Sequence, residues 1–79
     1  MKNIDVARSW VRGQRAAAGN FSTDGTDLFS YNLRIATRNQ YGMTVFDYTA
    51  SGSFISVTTS KHVGLALRAA GKANLAPPT

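Results

Sequence analysis

The stretch "FSYNLRIATR", residues 29–38, decides how this chain of 79 residues is read. Phe29, Tyr31, Leu33 and Ile35 alternate with Ser30, Asn32, Arg34, Ala36 and Arg38, and a period of two sends successive side chains to opposite faces of a β-strand. The spacing predicts one half-buried strand with Arg34 and Arg38 pointing away from its apolar residues. Downstream, "RNQYG" (38–42) is turn chemistry, "MTVFDYT" (43–49) a second strand, "ASGS" (50–53) a tight turn at Gly52, and "FISVT" (54–58) a third strand. An antiparallel three-stranded meander is expected.

A helix is expected on each side of the meander. Upstream, Asn3 can cap a helix in which Ile4, Ala7, Val11 and Ala18 recur at helical spacing, with Val6, Trp10 and Ala17 widening the stripe and Gly19-Asn20 ending it. "FSTDGTD" (21–27) then reads as the turn into the sheet, with Asp24-Gly25 its strongest signal. Downstream, Thr58, Thr59 or Ser60 would cap a second helix with the stripe Val63, Ala66, Leu67 and Ala70, stopped by Gly71. The expected fold is α+β in the order α-β-β-β-α, with both helices on the apolar face of the sheet. Residues 1–71 would form one compact domain and residues 72–79 a flexible tail.

Composition narrows the function. Hydrophobic residues make up 43% and charged residues 16%, a balance that favours folding over disorder. Without cysteine there is no disulfide, thiolate-held zinc or thiol catalysis, and a cytosolic location is expected. The start of the chain lacks an apolar signal core, and no stretch approaches the roughly 20 apolar residues that span a bilayer, so no membrane partner is expected. The net charge is +5, with no Glu. Residues 1–20 carry +3 (Lys2, Arg8, Arg12 and Arg15 against Asp5), residues 59–79 carry +3 (Lys61, Arg68 and Lys72), and the middle sums to −1. Such a chain attracts acidic partners, whether nucleic acid or a protein surface.

Three residue sets are candidates for binding. Arg8, Arg12 and Arg15 fall at i, i+4 and i+7 on the expected first helix, either as a solvated polar face or as a basic ridge. Arg34 and Arg38 would share the outer face of the sheet with Phe46 and Tyr48 if Met43 and Val45 face the core. Aromatics among arginines serve both protein hot spots and single-stranded nucleic-acid platforms. Trp10 is a further aromatic anchor if exposed. Thr59, Ser60, Lys61 and His62 stand where a strand hands over to a helix, either as a cap alone or as an anion site completed by Lys61 and His62. No catalytic, metal or cofactor set is expected. Ser60 and His62 diverge on a helix, and one His with four Asp cannot close a metal shell.

"LFSYNLRIA" (28–36) followed by "ISVTTSKH" (55–62) resembles a loosely defined group of small phage and prophage proteins. In that group a Ser-Tyr-Asn strand and a Thr-Thr-Ser-Lys-His segment recur in this order. The matching residues are Ser30, Tyr31, Asn32, Ile35 and Ala36, then Ser56, Thr58, Thr59, Ser60, Lys61 and His62, within residues 28–64. Ile55 stands where the group often has an aromatic, and the basic first helix lies outside the motif. In size and chemistry the chain is also similar to anti-CRISPR proteins, small inhibitors of CRISPR effector complexes. That resemblance implies a non-enzymatic inhibitor in the host bacterial cytoplasm, binding a type I CRISPR surveillance complex through its basic surface and blocking target-DNA recognition. The alternative is a small nucleic-acid-binding regulator. Monomer and homodimer both remain open.

Overall fold

The computed structural model describes residues 2–48, 56–71 and 73–77. It holds two helices, α1 (Asn3–Val11) and α2 (Val57–Ala70), and six strands: β1 (Ala16–Ala18), β2 (Phe21–Thr23), β3 (Asp27–Ser30), β4 (Leu33–Asn39), β5 (Gly42–Phe46) and β6 (Asn74–Ala76). They form one sheet in sequential order, antiparallel from β1 to β5, with β6 returning through α2 to pair parallel with β5. The α+β class is as expected, but the sheet has twice the expected number of strands.

The additional strands come from segments read as something else. The first helix was expected to run to Ala18 but stops at Val11. Gly13 takes φ +74, a left-handed conformation that turns the chain out of the helix. Ala16–Ala18 then pairs with Phe21–Thr23 across Gly19-Asn20, so those two residues close a two-residue hairpin instead of capping a helix. Helix propensity favours alanine, and sheet pairing overrides it here. The helix cap also moves by one residue: Lys2 is the N-cap of α1, and its backbone N–H donates to Asp5 Oδ2 at 3.3 Å.

Residues 29–38 are not one strand. Ser30 pairs with Leu33 across a tight turn at Tyr31-Asn32, where Tyr31 adopts φ +57, and the chain doubles back as β4. A two-residue turn reverses the parity of the alternation. Leu28 and Ser30 face inward before the turn, and Ile35 faces inward after it. The register then shifts at Leu28/Phe29, with Leu28 opposite Ala36 and Phe29 opposite Arg34, so Ile35 is an extra residue and both Ile35 and Ala36 are buried.

Val6, Ala7 and Trp10 of α1 and Val63 and Ala66 of α2 close over Phe21, Leu28, Ile35, Ala36 and Val45 of the sheet. The first helix lies against β1 and β2, and the second against β3, β4 and β5. Trp10, read as a surface anchor if exposed, is fully buried, and its indole N–H donates to the Thr26 carbonyl at 2.9 Å. The expected third strand at 54–58 gives way at its C-terminal end to Val57 and Thr58, the first turn of α2; residues 54 and 55 lie outside the described residues. Asn74–Ala76, expected in a loose tail, adds β6 to the sheet, and Asp47 N–H donates to the Ala76 carbonyl at 2.8 Å.

Candidate interaction surfaces

The two halves of the Ser-Tyr-Asn and Thr-Thr-Ser-Lys-His pattern meet inside the molecule. Ser30 Oγ lies 2.7 Å from His62 Nδ1 and 3.1 Å from Thr59 Oγ1. Ser56 caps α2, accepting from Thr59 N–H at 3.1 Å, and its own hydroxyl donates to Thr59 Oγ1 at 3.1 Å. The four side chains Ser56, Thr59, Ser30 and His62 thus form one continuous hydrogen-bonded chain. The imidazole stacks on Phe21 with ring centres 4.2 Å apart and planes 10° off parallel. Burial holds the His62 pKa below its ordinary value.

This cluster ties the first turns of α2 to the end of β3, and it corrects the reading of residues 58–62. The cap is Ser56, not Thr58, Thr59 or Ser60. Thr59 and His62 are 2% and 3% exposed and already engaged, so they do not converge with Ser60 and Lys61 on an anion. Ser30 and His62 are hydrogen-bonded, but Ser30 is fully buried, and among the described residues no carboxylate is hydrogen-bonded to the imidazole. That is a packing arrangement, without the exposed nucleophile and oriented base that acyl transfer needs.

The basic ridge of the first helix does not form. Arg8 and Arg12 are exposed, Arg12 being the C-cap of α1, but Arg15 lies beyond the helix in the segment leading to β1. Arg8 approaches Asp5 at 3.9 Å. Arg15 contributes to holding the Asp24 carboxyl below its usual pKa, behind the larger effect of the backbone N–H groups of Asp27 and Thr26, which donate to Asp24 Oδ1 at 2.8 and 2.9 Å. Asp24 thus closes the turn between β2 and β3.

Arg34 and Arg38, expected side by side, stand on opposite faces. The extra residue at Ile35 flips the alternation between them. Arg38 turns to the helix side, where its Nε donates to the Gly25 carbonyl at 2.8 Å and its guanidinium fills the space a side chain at Gly13 would need. Arg38 is therefore a clamp between the end of α1 and the β2–β3 turn, and not a contact charge. Arg34 shares the outer face with Phe29, its neighbour across β3, and its guanidinium carbon lies 5.4 Å from the centre of the Phe46 ring.

Leu33, Arg34, Phe46 and Tyr48 line an open recess of about 180 Å³, in which Arg34 and Phe46 belong to this face while Leu33 and Tyr48 also pack against the core. Arg34 is half exposed, and its guanidinium lies 4.0 Å from Asp27 Oδ2. Both helices lie on the other side of the sheet, and among the described residues no helix covers this one. The registry that puts Met43 and Val45 inward and Phe46 outward is the one the structure adopts.

A second recess, of about 380 Å³, was not apparent in the sequence. Lys61, Gly64, Leu65 and Arg68 occupy one face of α2 at i, i+3, i+4 and i+7, and Asn3 of α1 closes the side. Lys61 and Arg68 are exposed and, among the described residues, form no ion pair. A glycine in a helix interior costs about 0.5–1 kcal/mol relative to alanine. A Cβ built at Gly64 meets no described atom within 4 Å, so packing within the chain does not require the glycine. The stripe could have been found from the i, i+3, i+4 and i+7 spacing of Lys61, Gly64, Leu65 and Arg68, but Asn3 joins it only through the fold.

Among the described residues no group of His, Asp or Glu is placed to hold a metal ion, and no helix is long and apolar enough to cross a membrane. No known protein family, curated protein or solved structure matches the chain.

Proposed function

We propose that this protein is a non-enzymatic binding module that docks the outer face of its sheet on an acidic surface of a host protein complex. In this reading it is a phage-encoded inhibitor of a bacterial defence system acting in the host cytoplasm, with a type I CRISPR surveillance complex as its target. The observation that carries the docking mode is Arg34 lying over Phe46 in an open recess completed by Leu33 and Tyr48. Arginine and aromatic side chains dominate binding energy at protein interfaces, and a guanidinium held over a ring is already ordered before it meets a carboxylate. The net charge of +5 adds steering toward an acidic partner. The defence target rests on the resemblance to phage proteins and on the chemistry of so small a chain.

The test is phage plating on a strain whose type I CRISPR system targets that phage, with the protein supplied from a plasmid. Plating should rise with the native chain and stay low with Arg34→Glu or Phe46→Ala at equal protein levels. Plating that does not rise with the native chain removes the defence target. Restored plating by both variants removes the docking face. Purified complex captured by the protein should survive nuclease treatment; capture that vanishes with nuclease supports the nucleic-acid regulator instead.

A further inference from the structure

The exposed stripe on α2 combines three independent features. Its ends are cationic, since Lys61 and Arg68 are exposed and lack ion-pair partners among the described residues. Its floor is the half-buried Leu65 beside the bare backbone of Gly64, within a recess of about 380 Å³ walled by Asn3. Its glycine weakens the helix without serving any packing among the described residues. A glycine that nothing inside the molecule requires fits a position where something outside approaches the backbone closely.

We infer that this stripe is a docking site for an acidic amphipathic helix of a protein partner. Charge selects the occupant. Two cations seven residues apart on α2 are separated by about 10 Å along its axis. Acidic side chains at i and i+7 of a facing helix have the same separation, and an apolar residue between them falls over Leu65. Gly64 lets the two backbones come close. A nucleic-acid backbone would satisfy the cations but leave the apolar floor unused, and a second copy of this basic chain would bring like charge to the stripe. The inference stands on other residues than the proposed sheet-face contact and does not depend on the identity of a defence complex.

The probe is a synthetic helical peptide with Glu at i and i+7 and Leu at i+4, titrated into the full ¹⁵N-labelled chain and followed by amide chemical shifts. Shifts should concentrate at Asn3, Lys61, Gly64, Leu65 and Arg68, and a peptide with Lys in place of Glu should produce none. Gly64→Gln, which favours the helix but fills the recess, should bind the peptide at least about tenfold more weakly with an equal or higher melting temperature. The pair Lys61→Glu and Arg68→Glu should abolish binding, and Arg34→Glu should leave it unchanged. Equal binding by Gly64→Gln and by the charge-reversed pair overturns the inference. So do shifts centred on Arg34 and Phe46, tighter binding of a single-stranded oligonucleotide at the same amides, or the same shifts arising from protein concentration alone.

Discussion

Lowering the pH from 7 to 5 should destabilise this protein through His62. The imidazole is 3% exposed, stacked on Phe21, and bonded through Nδ1 to a serine hydroxyl that is itself buried. Charging it would put a cation among Phe21, Ser30 and Thr59 with no carboxylate bonded to it among the described residues. Burial therefore depresses the folded-state pKa below the ordinary 6.5. The unfolded chain takes up a proton as pH falls through that value while the folded chain does not, so stability is full above it and declines below. The decline ends once the folded-state pKa is passed. One proton limits the slope to about 1.4 kcal/mol per pH unit, so the loss by pH 5 is at most about 2 kcal/mol. In a domain of this size each kcal/mol moves the melting temperature by about 4–8 °C. Urea denaturation at half-unit pH steps, on the native chain and on His62→Gln, measures the effect. The native chain should show the slope and the variant should not. A flat native profile between pH 7 and 5, or the same slope in both, would refute the assignment.

Other outcomes follow from single contacts. Ser30→Ala removes the hydrogen-bond partner of the buried His62 Nδ1 and should cost about 1–3 kcal/mol at pH 7, read by urea midpoint. Ser56→Ala should cost about 1 kcal/mol as a lost helix cap, whereas Thr58→Ala and Ser60→Ala, which cap nothing, should change the midpoint much less. Gly13→Ala should cost more than the roughly 1–2 kcal/mol of a left-handed non-glycine residue, because its Cβ also displaces the Arg38 guanidinium from Gly25; a midpoint unchanged in both Gly13→Ala and Arg38→Ala would remove the clamp. The Asp24 carboxyl, held below 3.8 chiefly by the Asp27 and Thr26 N–H groups, adds stability that is present above that pH and lost as acid protonates it, so Asp24→Ala should flatten the profile below pH 4.

Much of the topology was hidden because local signals have more than one tertiary use. Gly19-Asn20 serves equally as a helix stop or a two-residue hairpin, and Ala16–Ala18 has no side chain large enough to announce a strand. Alternation from Phe29 to Arg38 looks unbroken because a two-residue turn at Tyr31-Asn32 and an extra residue at Ile35 each shift its parity by one. The net result is a pattern that still alternates while its inward set changes twice. The candidate site suffered from the same shift. Arg34 with Phe46 on the outer face was legible, and Arg38 was lost to the core side. The Ser30 and His62 partnership spans 32 positions and carries no periodic signal.

By itself the sequence determined the α+β class, the second helix with its stripe from Val63 to Ala70 and its stop at Gly71, the Asp24-Gly25 turn, and the net charge of +5. These follow from side-chain period, backbone freedom at glycine, and ionisation, all of which are local. Only the tertiary structure decided which strands pair, that the tail returns as β6, which arginine faces water, and that Thr59 and His62 look inward. Those outcomes depend on sheet register and on which polar groups must satisfy one another once water is excluded, and neither is a property of any one segment.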